Sequence, residues 1–156
     1  MSALPTGTVT FLFTDIEGST KLWEEFPEAM KSALAKHDAI LKETVESNHG
    51  QIVKTTGDGI HAVFTTAIDA INAAIQSQHK LNSLILNYEL PITNLQSPIS
   101  SLSLKSRMGL HAGEAELREG DYFGQTLNRA ARIMSAGHGG QILISDIVAQ
   151  VASEHL

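Results

Sequence analysis

Val9-Thr10-Phe11-Leu12-Phe13-Thr14 runs directly into Asp15-Ile16-Glu17-Gly18-Ser19-Thr20, and that junction decides how the rest of the chain is read. The first stretch is apolar, β-branched and aromatic, too short for a helix, and bounded by Gly7 and by the polar residues from Asp15 to Gly18. It predicts a buried strand at the centre of a sheet, with an acidic residue where the strand ends.

Downstream, Ser19 or Thr20 is expected to cap a helix, since a hydroxyl there can accept from the free N–H groups of the first turn. Phe26, Met30, Ala33, Leu34, His37, Leu41 and Val45 recur at helical spacing until Asn48-His49-Gly50, with Pro27 expected to kink or restart the helix. Gln51 to Thr55 and Ile60 to Phe64 read as the arms of a hairpin around Thr56-Gly57-Asp58-Gly59. Thr66 should cap a second amphipathic helix carrying Ile68, Ile71 and Ile75 and running to about Asn87. Tyr88 to Leu104, rich in Ser, Pro and Asn, reads as a surface excursion. Lys105 to His111 is a strand, Glu114 to Gly120 a polar loop or hairpin arm, and Gln125 to Ala136 a helix ended by Gly137-His138-Gly139-Gly140. Gln141 to Ile144 is a last strand, and Ser145 caps a last helix. The order β, α, hairpin, α, β predicts an α+β fold with a ferredoxin-like βαββαβ core and an added C-terminal helix, strand and helix.

Composition narrows the function. The chain has 156 residues, 42% of them hydrophobic, and no cysteine. One domain with a real core fits that length, and disulfides, thiol catalysis and Cys-bound zinc are excluded. Seventeen acidic against eleven basic side chains give a net charge of -6, which disfavours binding to a nucleic-acid backbone. No stretch has the apolar length of a membrane helix, and Met1 to Val9 lacks a signal-peptide pattern, so a cytoplasmic protein with no membrane partner is expected. Any metal should be hard and oxygen-bound.

Asp15 and Asp58 are the candidates for holding it. The split βαβ order places the hairpin tip beside the end of the first strand, and two carboxylates there can hold a pair of divalent cations for in-line attack at a phosphoryl group. Taken singly, Asp15 also reads as a helix-start residue and Asp58 as a turn former.

Four blocks in order then resemble one family: Phe11 to Thr20, Lys54-Thr55-Thr56-Gly57-Asp58-Gly59, Gly109-Leu110-His111-Ala112-Gly113-Glu114, and Asp121-Tyr122-Phe123-Gly124 through Asn128-Arg129-Ala130-Ala131-Arg132. Together they look like the class III adenylate/guanylate cyclase catalytic domain in its bacterial FTDIEGST form. The resemblance implies conversion of ATP to 3′,5′-cyclic AMP and pyrophosphate, with two divalent cations per site, Mg²⁺ or Mn²⁺. It implies that Asp15, Asp58 and the Ile16 carbonyl bind metal, that Lys54 and Asp121 read adenine, and that Asn128 orients the ribose while Arg132 meets charge on the α-phosphate. Guanylate cyclases of the family typically carry Glu and Cys in place of the Lys54 and Asp121 pair. It also implies a homodimer with shared sites, in which one protomer gives the metal residues and the other gives Lys54, Asp121, Asn128 and Arg132. Independently, Asn128 and Arg132 are i,i+4 on one predicted helix and so share a face.

Glu114 stands where some members have a basic residue, and Arg118 is the nearby substitute. Residues 1–156 are expected to form one catalytic domain that stops before the family's final hairpin, which supplies a basic contact to the triphosphate. His111 is assigned no catalysis, and Glu17 is read as a neighbour of the metal site or as surface. The alternative function is a non-catalytic nucleotide-binding or dimerisation module of a larger signalling protein. A diguanylate cyclase is disfavoured because no GG(D/E)EF sequence occurs.

Overall fold

The computed structural model describes residues 3–85 and 104–154. The elements are β1 (Thr8–Ile16), α1 (Ser19–Glu25), α2 (Pro27–Ser47), β2 (Gln51–Thr56), β3 (Gly59–Phe64), α3 (Ala67–Ile85), β4 (Ser106–Glu114), β5 (Glu116–Arg118), β6 (Asp121–Phe123), α4 (Gln125–Ala136), β7 (Ile142–Ile144) and α5 (Asp146–Ser153). A five-stranded sheet has the order β2-β3-β1-β4-β7, with β5 and β6 forming a separate hairpin. β1 pairs antiparallel with both β3 and β4, and β7 joins β4 in parallel. This is the expected α+β, ferredoxin-like core with its added helix, strand and helix, and β1 is its central strand.

Alternation along β1 divides the core. Leu12 faces the layer of α2 and α3 with Leu41, Val45, Ala70 and Ala74. Val9, Phe11 and Phe13 face the other way, under Tyr122, Ala130 and the β5–β6 arm. A strand buried on both faces has no polar alternation to show, which is why its sequence reads as a continuous apolar run.

Several local expectations need correction. The α1 N-cap is Gly18, in the left-handed region at φ 69°, with no side-chain cap; the Ser19 hydroxyl is spent on Asp58 instead. Ser145 does sit at the N-cap of α5 but makes no capping bond, because its hydroxyl pairs with His111 Nδ1 at 2.8 Å. Thr66 caps as expected, its Oγ1 accepting from Asp69 N–H. Pro27 restarts the helix at the first turn of α2. On α3 the buried stripe is Ala67, Ala70, Ala73, Ala74 and Leu81, while Ile75 is 54% exposed. Alanines let α3 lie close on the sheet, with Ile71 packed at the edge of that contact and only Ile75 of the expected isoleucines turned to the surface. Of the surface excursion, only Leu104 lies within the described residues; it is buried against Ile16, Met30 and Ala33. No described helix is long and apolar enough to cross a membrane.

Candidate active site

The end of β1 and the β2–β3 turn meet because Gly59 lets them. A Cβ at Gly59 would lie 1.8 Å from the Thr14 carbonyl oxygen, so any side chain there would push the turn off β1. Ile60 N–H donates to Thr14 Oγ1 at 3.0 Å and locks the same junction. Asp58 is thereby aimed at the turn after β1: its Oδ2 accepts from Ile16 N–H at 3.3 Å and from the Ser19 hydroxyl at 2.9 Å. Ile16 itself is fixed by its buried side chain.

Asp15 sits opposite Arg107 in the β1–β4 register. Arg107 Nε donates to Asp15 Oδ1 at 2.7 Å and its Nη2 donates to Oδ2, a two-pronged charged pair. The hydrogen bond to Asp15 raises the guanidinium pKa above its ordinary value, with the charges of Glu17 and Asp58 acting in the same direction. Three acids therefore surround one arginine. Arg107 is the residue that sequence reasoning missed. The alternation Arg107, Gly109, His111 assigns it a face, but only the cross-strand register reveals its partner.

The donors that Asp15, Asp58 and the Ile16 carbonyl offer are all oxygens, which suits Mg²⁺ or Mn²⁺. Among the described residues no group of three or more His, Asp or Glu side chains could hold a metal ion alone. Two carboxylates with remaining positions left to phosphate and water are how Mg²⁺ is commonly held, so the residues fit the expected cations.

Lys54 and Asp121 stand apart from this cluster. Lys54, just past an irregularity in β2, pairs with His61 on β3, and its Nζ donates to Asp121 Oδ2 at 2.8 Å. Residues 67 positions apart in the chain are thus joined into one donor and acceptor unit. The Lys54 hydrogen bond holds the Asp121 carboxyl below its usual range. His61, also unnoticed in the sequence, stacks flat on Phe13 with ring centroids 3.6 Å apart. Its Nδ1 is buried without a partner among the described residues.

Asn128 and Arg132 lie on α4, and both are exposed. Among the described residues neither side chain has a hydrogen bond or ion pair. One chain thus holds three separate groups: the two aspartates with Arg107, the Lys54–Asp121 pair, and the two α4 residues. A cavity of about 430 Å³ beside α4 is lined by His111, Thr126, Arg129 and Ser145, and by none of the expected site residues.

Comparison with known proteins gives a consistent picture. Residues 1–155 match the family described as "Adenylate and Guanylate cyclase catalytic domain". An adenylate cyclase of Podospora anserina is 35% identical over 161 residues, covering 94% of this chain and 8% of the relative. An uncharacterised protein of Mycobacterium tuberculosis is 38% identical over 144 residues, covering 90% of this chain and 44% of the relative. The chain therefore spans less than half the length of these relatives. A Trypanosoma brucei adenylate cyclase structure, determined in its monomeric state, superposes with a TM-score of 0.76 at 27% identity, covering 96% of this chain and 78% of that one.

Proposed function

The chain belongs to the adenylate and guanylate cyclase catalytic-domain family, and from that premise we propose that it acts as an adenylate cyclase, turning ATP into 3′,5′-cyclic AMP and pyrophosphate at sites shared between two copies. The observation that carries the choice of ATP is the Lys54–Asp121 pair. A cationic donor beside an anionic acceptor complements a ring nitrogen and the exocyclic amine of adenine, whereas the guanine edge has the reverse polarity. Across the family both purines are substrates, so this pair is what favours one of them.

In this reading Asp15, Asp58 and the Ile16 carbonyl would hold two divalent cations, whose chemistry would be to acidify the ribose 3′-hydroxyl and offset the triphosphate charge. The 3′-oxygen attacks the α-phosphorus as the bond to the pyrophosphate oxygen breaks, and the 3′-hydroxyl proton passes to water. Arg132 presents a planar, permanently charged fork to the equatorial oxygens, where charge grows in the transition state. Asn128, one turn away on the same helix, positions the ribose. Arg107 orients the Asp15 carboxylate through its two-pronged bond; once that carboxylate faces a cation, the guanidinium is free to meet an anionic oxygen nearby.

The separation of the three groups supports sharing between copies. Asp15 and Asp58 are anchored in the sheet, while Asn128 and Arg132 project from α4 with no hydrogen bond or ion pair among the described residues. A homodimer with two equivalent sites supplies the complement. The deciding test is to incubate the purified protein with ATP or GTP and Mn²⁺ and to identify products by mass. Cyclic AMP is expected from ATP. Nucleotide binding with no cyclic product from either substrate would instead establish the non-catalytic module.

A further inference from the structure

Glu17 lies two positions beyond Asp15 and has no role in the scheme above. Its backbone N–H donates to the Lys105 carbonyl at 2.9 Å. Its Oε2 accepts from Gly139 N–H at 2.9 Å, and its Oε1 lies 3.5 Å from His138 Nδ1. Gly139 has no room for a side chain: a Cβ there would sit 2.3 Å from the Lys105 Cβ and 2.7 Å from Glu17 Oε2. Gly140 N–H donates to the Ser106 carbonyl at 2.9 Å and closes the same contact. An ordinary exposed glutamate would need no such fitted glycine.

The segment that Glu17 grips is the loop between α4 and β7. A second contact joins the same parts, since Arg107, whose fork holds Asp15, also donates through Nη1 to the carbonyl of Ser135 in the last turn of α4 at 3.4 Å. Arg132 stands one turn before Ser135 on that helix. A helix is stiff over one or two turns, so displacing its C-terminal end displaces the root of the Arg132 side chain with it.

We propose that Glu17 is a positioning residue for α4: it ties the loop after α4 to the metal-binding turn, so that the placement of Asn128 and Arg132 follows the state of Asp15 and Asp58 in the same chain. The inference rests on the shared-site reading. In a symmetric pair, the metal-binding turn of one chain serves one site and its α4 serves the other. Glu17 therefore links two sites, and filling one biases the geometry of the second.

The test uses a mixed dimer of differently tagged Asp58→Ala and Arg132→Ala chains, which has one complete site. That site takes its metal residues from the Arg132→Ala chain and its α4 from the Asp58→Ala chain. Glu17→Ala placed only in the Asp58→Ala chain lies outside the living metal centre. It is nevertheless expected to lower kcat about 10- to 100-fold with little change in KM for ATP, the scale set by a small misplacement of a reacting group. Glu17→Gln at the same place keeps an oxygen acceptor for Gly139 N–H and should restore most of the loss. Independently of activity, amide exchange over residues 137–141 should quicken in Glu17→Ala protein and stay near the parent rate in Glu17→Gln. An active mixed dimer indifferent to Glu17→Ala in the Asp58→Ala chain, or unchanged exchange over the loop, overturns the inference alone. A mixed dimer with verified pairing and no activity, before Glu17 is touched, overturns the shared-site reading and takes the inference with it.

Discussion

Asp15 and Asp58 are paired within their own chain, one by a two-pronged bond to Arg107 and the other by Ile16 N–H and the Ser19 hydroxyl. Asn128 and Arg132 have no such partners among the described residues. The first pair sits where three strands and a turn converge; the second projects from the surface of one helix. A charged group that must hold a fixed position is usually tied by neighbours, and one that meets its partner only on assembly is left untied. On the shared-site proposal, the sheet end is the prebuilt half of the site and α4 the half that a second copy completes.

The largest effect should come from cutting the prebuilt half. Asp58→Ala removes a proposed metal ligand together with the acceptor for Ile16 N–H and Ser19. Loss of a residue that merely supports a ligand already costs about 10–100-fold, so loss of the ligand itself should exceed about 10³-fold in turnover. Asp15→Ala should do the same, and it also strands the Arg107 guanidinium, so its melting temperature should fall further than that of Asp58→Ala. Near-parent turnover with normal Mn²⁺ dependence in either variant would remove the two aspartates from the mechanism.

Arg132→Ala tests the waiting half and should behave differently. Turnover should fall about 10²- to 10³-fold, the scale for losing one preorganised donor to a developing charge. KM and melting temperature should hardly move, because the exposed side chain makes no hydrogen bond or ion pair among the described residues. A melting temperature lowered as far as in Asp15→Ala would mean that α4 is not the untied region it is taken to be. Mixing Arg132→Ala with Asp58→Ala chains should recover activity, since a mixed pair retains one intact site.

The difference between these regions also marks what the sequence could convey. β1, the β2–β3 hairpin and α4 were legible because each is a local pattern: an apolar run, tight-turn residues between two strand-like pieces, an amphipathic repeat. Asp15 and Asp58 could be paired on paper because the split βαβ order forces a hairpin tip against the end of the first strand. Arg107 could not, because nothing local says that β4 aligns residue 107 with residue 15. The capping hydroxyls misled for a related reason. Ser19 and Ser145 have good N-cap chemistry, but their hydroxyls pair with groups distant in sequence, Ser19 donating to Asp58 and Ser145 pairing with His111. On α3 the closeness of the sheet gives the buried stripe to the alanines, with Ile71 packed at its edge and Ile75 left exposed.

A smaller effect is expected at Lys54 and Asp121, the pair proposed to read the purine. The Lys54 and Asp121 side chains are 43% and 31% exposed, so their pairing adds little to stability in water and its value lies in discrimination. Lys54→Glu with Asp121→Cys should erode the preference for ATP over GTP by about 10- to 100-fold, the range of one or two charge-assisted hydrogen bonds. The melting temperature should stay close to the parent. Equal kcat/KM for the two nucleotides in the parent protein would show that the pair does not set the choice.

The smallest effect concerns protons, and it separates the two regions by what each does in acid. Burial lowers the His61 pKa below its ordinary 6.5, the Lys54 charge lowers it further, and Asp121 pulls the other way. The unfolded chain therefore takes up a proton at His61 more readily than the folded chain does, and folding stability must drop as the pH falls through about 6.5. The structure gives the physical reason. Protonation would place a charged N–H at Nδ1, which is buried without an acceptor, in a ring lying flat on Phe13. His111, lowered by burial and by Arg129, contributes in the same direction. The Asp121 carboxyl, held down by Lys54, stays ionised through this range. Melting temperature measured from pH 7.5 to 5.5 should therefore fall in the parent and fall less in His61→Leu, which keeps an apolar face on Phe13 and has no proton to gain. An identical slope in both proteins would mean that the imidazole finds an acceptor when charged, and that the stacked ring beside the purine-reading pair is not a source of acid sensitivity.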